Sequence, residues 1–299
     1  MPREFREPRR EDRFVSIVGP TGSGKTALAL NLFQPQDVLV SLDSVAAYRG
    51  LDIGSAKPDS RTHPWIGLDL FDPRTERASA AEFCRSVRTH IQDAIAESRR
   101  VVLVGGSHFY ESALVDGMAS GSASDPSYLM QLEGLSNQEL WQRLSALDAE
   151  WASRVRETDR YRLCRALDLV ERQGLSFRES QSRVGGLAEQ NRVVTVVLGM
   201  DWDRSTFEAA LRKRVLEMLD QGWVEEVKSL IQTGVKPESP ALESVGYREI
   251  VAHLKGEVSL PETILKVVQS HLQLVKKQKT WIRGRLLSSH NALNGDDPS

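Results

Sequence analysis

The 299-residue chain is 40% hydrophobic and 27% charged, with a net charge of −2. It has no apolar run long enough to span a bilayer and no signal-like N-terminus. Two cysteines, Cys84 and Cys164, are too few for a disulfide framework or a Cys-type zinc site, so a reduced, cytoplasmic protein without a membrane partner is expected. The near-neutral balance excludes a globally basic nucleic-acid binder, and any polyanion site must come from local charge segregation.

Residues 1–12 interleave Arg and Glu with two prolines and read as a tail. Phe14–Val18 is a short apolar run of the kind that forms a buried strand. Directly after it comes Gly19-Pro20-Thr21-Gly22-Ser23-Gly24-Lys25-Thr26, which fits the phosphate-loop pattern G-x-x-x-x-G-K-[ST], and then a helical stretch, Ala27–Leu32. Glycines let the backbone curl so that successive N–H groups converge on an anion, and the helix N-terminus adds partial positive charge. The pattern therefore makes Gly19, Thr21, Gly22, Ser23, Gly24, Lys25 and Thr26 candidates for gripping a di- or triphosphate. Lys25 would reach the terminal phosphates, and the Thr26 hydroxyl would hold Mg²⁺.

A second apolar strand, Val38–Leu42, ends in Asp43-Ser44. Strand ends face the ligand crevice in an α/β sheet, so Asp43 is expected near the phosphate loop as a magnesium ligand, a general base or the cap of the next turn. Tyr48–Pro58 has no periodicity and reads as a loop over the crevice. A possible short strand lies within Ile66–Phe71. Ser79 and Glu82 form a capping-box pattern that opens a helix to about Ser98, with Phe83, Val87, Ile91, Ala94 and Ile95 on its inner stripe.

The next strand, Val101–Val104, ends in Gly105-Gly106-Ser107 without an acid. A nucleotide hydrolase usually carries a strand-end Asp here. This chain offers a hydroxyl instead, which makes Ser107 a candidate phosphate or magnesium ligand.

From the polar hinge at 118–127 the pattern turns helical until about 185. Ser136 and Glu139 form a second capping box, and Asp159–Gln173 is a helix closed by Gly174. Arg160 and Arg165 belong to a basic cluster at its start. Arg192–Met200 then resumes the buried-strand pattern. In helix 204–221, Phe207, Leu211, Val215 and Met218 make one stripe, and Arg214 falls inside it rather than opposite it. An arginine on a buried face needs an anion, either a structural carboxylate or a phosphate.

Trp223–Gln232 and a short segment ending near Leu254 are further helices. The last helix is expected from about Pro261 to Leu286, packed through Ile264, Val268, Leu272, Val275 and Ile282. No acid occurs between Thr263 and Gly295, whereas Lys266, Lys276, Lys277, Lys279, Arg283 and Arg285 do. Such a segregated basic surface suits an extended polyanion. Residues 288–299 read as a second tail.

Taken together, these motifs resemble the tRNA dimethylallyltransferases, also called tRNA isopentenyltransferases, over about residues 14–286. The resemblance rests on the phosphate loop and on Asp43-Ser44 with Tyr48-Arg49-Gly50-Leu51-Asp52-Ile53-Gly54-Ser55-Ala56-Lys57-Pro58. It continues through Gly105-Gly106-Ser107 with Tyr110, Asp159-Arg160, Arg165-Ala166-Leu167, Gly222 through Glu226, Val245-Gly246-Tyr247-Arg248 and Lys276-Lys277-Gln278 with Thr280-Trp281.

It implies an α/β fold, a P-loop NTPase-like parallel sheet flanked by helices with a helical insertion domain. The core would be 13–117 with 186–287, and the insertion 118–185. It also implies transfer of a dimethylallyl group from dimethylallyl diphosphate to N6 of the adenosine 3′ of the anticodon, with Mg²⁺ as cofactor and the tRNA anticodon stem-loop as partner of a monomer. Asp43 would be the general base, Ser107 would assist at the diphosphate, and Arg214 would bind phosphate. Asp43, Ser44, Arg160, Arg165, Arg248, Lys276, Lys277 and Gln278 would meet the tRNA.

The chain departs from the family pattern at Ala46 and Ala47, where a larger or amide residue is common. It also departs at Ser107, which replaces Thr, and at His108-Phe109. The alternatives are prenylation of free adenine nucleotide, a small-molecule kinase, or a non-catalytic RNA binder with a vestigial loop.

Overall fold

Runs of β-branched and aliphatic residues with no polar alternation must be covered on both faces, the signature of a parallel sheet between helix layers. The computed structural model describes residues 4–294 apart from 10, 60–62, 76–78, 122, 123 and 202. Its strands are β1 (Glu4–Phe5), β2 (Phe14–Val18), β3 (Val38–Leu42), β4 (Trp65–Ile66), β5 (Val101–Gly105), β6 (Met118–Ala119), β7 (Arg183–Val184) and β8 (Val193–Val197). Its helices are α1 (Lys25–Leu32), α2 (Ala80–Ala96), α3 (His108–Val115), α4 (Pro126–Leu132), α5 (Asn137–Leu147), α6 (Ala149–Arg154), α7 (Arg160–Leu167), α8 (Phe177–Gln181), α9 (Leu187–Gln190), α10 (Arg204–Asp220), α11 (Trp223–Gln232), α12 (Tyr247–Leu254) and α13 (Leu260–Asn294).

Six strands form one parallel sheet in the order β1-β8-β2-β5-β3-β4. The chain leaves β2 and returns two positions away in β3, and β5 then fills the gap. That reversal makes a crevice at the carboxyl ends of the strands. The register sharpens its position. Gly105 lies level with both Val18 and Leu42, and Val18 with Val197. The phosphate loop, Asp43, the Gly106-Ser107 turn and Leu198 therefore all depart from one rim.

The chain divides into two compact units, one up to Val115 and from Gln190 onward, the other Asp116–Glu189. The second is slightly longer than the insertion read from sequence. It is helical around a core that includes Leu140, Leu144, Leu163 and Leu167. Its ends are tied by the antiparallel pair β6–β7, which two residues on each side were too short to signal. After Leu167, α7 continues into a π-turn at Asp168–Arg172. Both expected capping boxes form, at Ser79 and Ser136.

The tails differ from expectation. β1 pairs with β8, and Arg6 bonds to both Glu4 and Asp12, which anchors the N-terminal segment. α13 runs on through Asn294. Residues 1–3 and 295–299 of the expected tails lie outside the described residues. The buried stripe of α13 is rotated from the expected one. Thr263, Val267, His271, Val275, Gln278 and Ile282 are buried, while Ile264 and Leu272 are half-buried at its edges. On α2, Ile95 is exposed rather than buried.

Candidate active site

The phosphate loop adopts the shape its glycines permit. Gly22 and Gly24 both sit at φ 77°, in the left-handed region open to glycine. Gly19 passes Leu198 so closely that a Cβ would lie 2.7 Å from the Leu198 carbonyl oxygen. Thr21 N–H donates to Gln278 and Ser23 N–H to Pro20. The amides of Gly22, Gly24, Lys25 and Thr26 have no acceptor among the described residues, and they open α1 toward the crevice.

A cavity of about 610 Å³ lies over this loop. Lys25, Thr26, Asp43, Ser44, Ser107, His108 and Arg214 line it, together with the apolar walls Val45, Ala46, Trp65, Phe109 and Leu274. Asp43, Ser107 and Arg214, distant in sequence, are thus brought together. Arg214 lies where its place in the apolar stripe of α10 puts it, since Phe207, Leu211, Val215 and Met218 are all buried.

The cavity holds two cations and a carboxylate without an ion pair of contact length. Lys25 Nζ donates to the Pro20 carbonyl at 2.7 Å. Burial pushes its ammonium down to about 8, against the attraction of Asp43, and Arg214 adds repulsion. Burial also lowers Arg214, again opposed by Asp43. An anion beside these two cations would offset that penalty.

Asp43 is both cap and candidate base. Its Oδ1 accepts from the amides of Val45 (2.8 Å) and Ala46 (3.1 Å), which fixes the carboxylate plane. Oδ2 has no hydrogen bond among the described residues. Ser107 N–H donates to Leu42, which ties the β5 turn to the strand that ends in Asp43. His108 stacks on Trp281 with ring centroids 4.9 Å apart, and burial lowers its pKa, which favours the neutral ring. Trp281 is thus a packing partner of the crevice rim.

The far wall explains three separated sequence blocks at once. Glu226 on α11 accepts from the amides of Asp52 (2.9 Å), Ile53 (2.7 Å) and Gly54 (3.5 Å), and from the Tyr247 hydroxyl (2.8 Å). The Trp223 indole lies between Gly54 and Gly246, and a Cβ on either would overlap it. Lys57 adds contacts to the Tyr48 carbonyl, Asp52 and Asp69. This knot sets the loop carrying Ser55, Ala56 and Pro58 against the cavity. The role of Glu226 was missed in the sequence, although two glycines in otherwise irregular blocks are a signal of close approach.

Several residues expected at RNA are held within the chain. Gln278 is 6% exposed and bridges two crevice turns, so it is not on the outer basic face. The Arg160 guanidinium donates to the carbonyls of Leu132, Glu133 and Leu135, closing the end of α4. Arg165 bonds to Ser124 and Asp168. Arg248 is exposed but bonded to Glu249 and Ser270. Arginines near helix termini satisfy carbonyls and carboxylates as readily as phosphates, and sequence alone does not separate the two. Lys276 and Lys277 are exposed, and their ammonium groups have no hydrogen bond or ion pair among the described residues.

Fold and crevice together define a P-loop α/β protein with unpaired loop amides, two cations and a carboxylate on one cavity. The IPP transferase family model matches residues 46–285, and the chain belongs to that family, an enzyme family of transferases. It is 36% identical over 286 residues to the tRNA dimethylallyltransferase of Xanthomonas campestris, covering 91% of this chain and 87% of that one. It is likewise 36% identical over 279 residues to the tRNA dimethylallyltransferase of Geobacter metallireducens, covering 91% and 89%. Among solved structures, the full-length tRNA isopentenylpyrophosphate transferase of Bacillus halodurans is similar with a TM-score of 0.62 at 25% identity, covering 95% of this chain and 96% of that one.

Proposed function

We propose that the crevice transfers a dimethylallyl group from dimethylallyl diphosphate to N6 of the adenosine on the 3′ side of the anticodon in tRNA. The observation that carries this reading is the meeting of Lys25, Arg214, Asp43 and Ser107 in one cavity over the phosphate loop. The relatives' names supply the substrate class.

The chemistry follows from that arrangement. The free amides and Lys25 cradle the diphosphate, and Arg214 adds a second cation, so the charge that develops on the leaving oxygen is stabilised. The adenine N6 forms a bond to the terminal allylic carbon as the carbon–oxygen bond breaks. Diphosphate leaves with the electron pair, and the N6 proton passes to Oδ2 of Asp43. Val45, Ala46, Trp65, Phe109 and Leu274 offer an apolar surface to the prenyl group and the base. The adenine reaches this cavity only after leaving its stack.

Magnesium fits the donor set. The Thr26 and Ser107 hydroxyls are hard oxygen donors on one cavity. Bound there by Thr26, the ion would neutralise charge on the diphosphate.

The basic face of α13, led by Lys276 and Lys277, is read as the tRNA contact of a cytoplasmic monomer. No helix is long and apolar enough to cross a membrane among the described residues. The test is mass analysis of tRNA nucleosides after incubation with dimethylallyl diphosphate and Mg²⁺, with AMP as the competing acceptor. Prenylated adenosine in tRNA is expected. Labelled AMP with unlabelled tRNA, or ATP turnover without prenyl transfer, would overturn the reading.

A further inference from the structure

The buried stripe of α13 contains three polar side chains, and they behave differently. The Thr263 hydroxyl donates to Ser259 and His271 Nδ1 contacts the Val267 carbonyl, so both are satisfied locally. Gln278 reaches off the helix with both ends of its amide. Its Oε1 accepts from Thr21 N–H at 3.0 Å, and its Nε2 donates to the Gly106 carbonyl at 3.0 Å. It is 6% exposed, and Val275 and Ile282 in the same stripe show that packing alone is met by aliphatic residues.

The two partners are the turns that build the crevice. Thr21 opens the phosphate loop, and Gly106 precedes Ser107. A Cβ at 106 would lie 2.6 Å from Gln278 Nε2 and 3.3 Å from the Gly19 carbonyl oxygen, so a larger residue there would displace the amide. Behind the bracket is a void of about 10 Å³, bordered by Gly19, Gly106, His108, Gln278 and Trp281. Strand pairing at Val18 and Gly105 brings the two turns side by side, and the amide links them directly across that void. By engaging Thr21 N–H, Gln278 also determines which loop amides remain for an anion, namely Gly22, Gly24, Lys25 and Thr26. Its neighbours strengthen the attachment, with Lys279 Nζ donating to the Met200 carbonyl and Trp281 stacking on His108.

We propose that Gln278 is a positioning residue for the diphosphate, bracketing the phosphate loop to the Ser107 turn so that the cradle is pre-organised before the anion arrives. The proposal rests on the reading of the loop as a diphosphate site. Pre-organised donors bind better because the ordering cost is met in folding.

The test is calorimetric titration of the full chain with inorganic pyrophosphate and Mg²⁺, with melting temperatures measured in parallel. Gln278→Met keeps the volume and removes both hydrogen bonds. Gly106→Ala leaves the glutamine in place but pushes its amide aside, which covers the case in which Gln278→Met does not fold. Val275→Ala, one turn away in the same stripe, is the control for general loosening of α13. Both bracket variants are expected to weaken pyrophosphate by about tenfold, the scale of one good hydrogen bond, while Val275→Ala binds as wild type despite a comparable loss of melting temperature.

The proposal is overturned if the folded bracket variants bind within twofold of wild type, or if Val275→Ala weakens binding as much as they do. Absence of pyrophosphate binding by the wild type would overturn the diphosphate reading itself, and the proposal with it.

Discussion

The crevice and the insertion treat charge in opposite ways. In the insertion, Asp168 is fully buried and fully used. Arg165 and Gln173 donate to its Oδ2 and Arg172 to its Oδ1. In the crevice, Lys25, Arg214 and Asp43 face one cavity with no ion pair closed between them, and burial depresses both cations. The outer face of α13 resembles the crevice in this respect, since the Lys276 and Lys277 ammonium groups have no partner among the described residues. The lesson is that the amount of charge in a segment says little. Charges satisfied internally hold structure, and charges left unsatisfied by the fold await a ligand.

The contrast is sharpest at its two carboxylates. Asp43→Ala is expected to lower prenyl transfer by about 10²–10⁴-fold, the usual range for a positioned proton acceptor, with tRNA binding largely kept. Unchanged turnover in a steady-state assay would remove Asp43 from its role. Asp168→Asn should do the reverse. It should cost about 2–3 kcal/mol of stability, because it weakens three hydrogen bonds at a buried carboxylate, and the folded fraction should keep its turnover. Denaturant unfolding alongside single-turnover rates separates the two outcomes. An Asp168 variant that is stable but inactive would break the contrast.

The next effect in size concerns the two basic regions. Lys276→Glu with Lys277→Glu should weaken tRNA binding about tenfold or more at low salt and lower the slope of log affinity against log salt by about 2. Arg165→Ala should leave that slope unchanged, because its guanidinium is engaged by Ser124 and Asp168. Filter binding across a salt series measures both. An equal loss of slope in the two variants would mean that the insertion arginines also meet phosphate.

The smallest expected effect is one of pH. Burial holds Lys25 at about 8, below its ordinary 10.5, so the free protein loses this cation as pH rises through that value. A diphosphate binds the charged form, and its affinity should fall by up to about tenfold per unit above pH 8. For stability the sign is opposite. The folded state disfavours the proton, so this residue costs stability at neutral pH, and the cost fades between pH 8 and 10.5. Titration calorimetry of the allylic diphosphate from pH 7 to 9.5 should show the fall. A flat profile would mean that Asp43 outweighs burial.

Much of the site was legible because chemistry with strict local geometry leaves a strict local pattern. The phosphate loop needs its glycines and Lys at fixed spacing, and a parallel strand needs an apolar run, so Asp43 and Ser107 could be placed at strand ends. Arg214 was legible because 3.6-residue periodicity put a charge on a buried face. Phe109, 68% exposed and lining the cavity, was visible only as a departure from the family pattern.

By itself, the sequence determined the parallel α/β core, the helical insertion, the glycine loop at the crevice rim and the segregation of basic residues near the C-terminus, all of which follow from near-neighbour rules. Tertiary structure alone decided which charges are free. Gln278 joins Thr21 to Gly106, Glu226 joins the Asp52 loop to Tyr247, and Arg160 and Arg165 turn inward, because partners far apart in the chain meet only when the strand order is set. The physical reason is that hydrogen-bond satisfaction is a property of the folded neighbourhood, whereas propensity and periodicity belong to the chain.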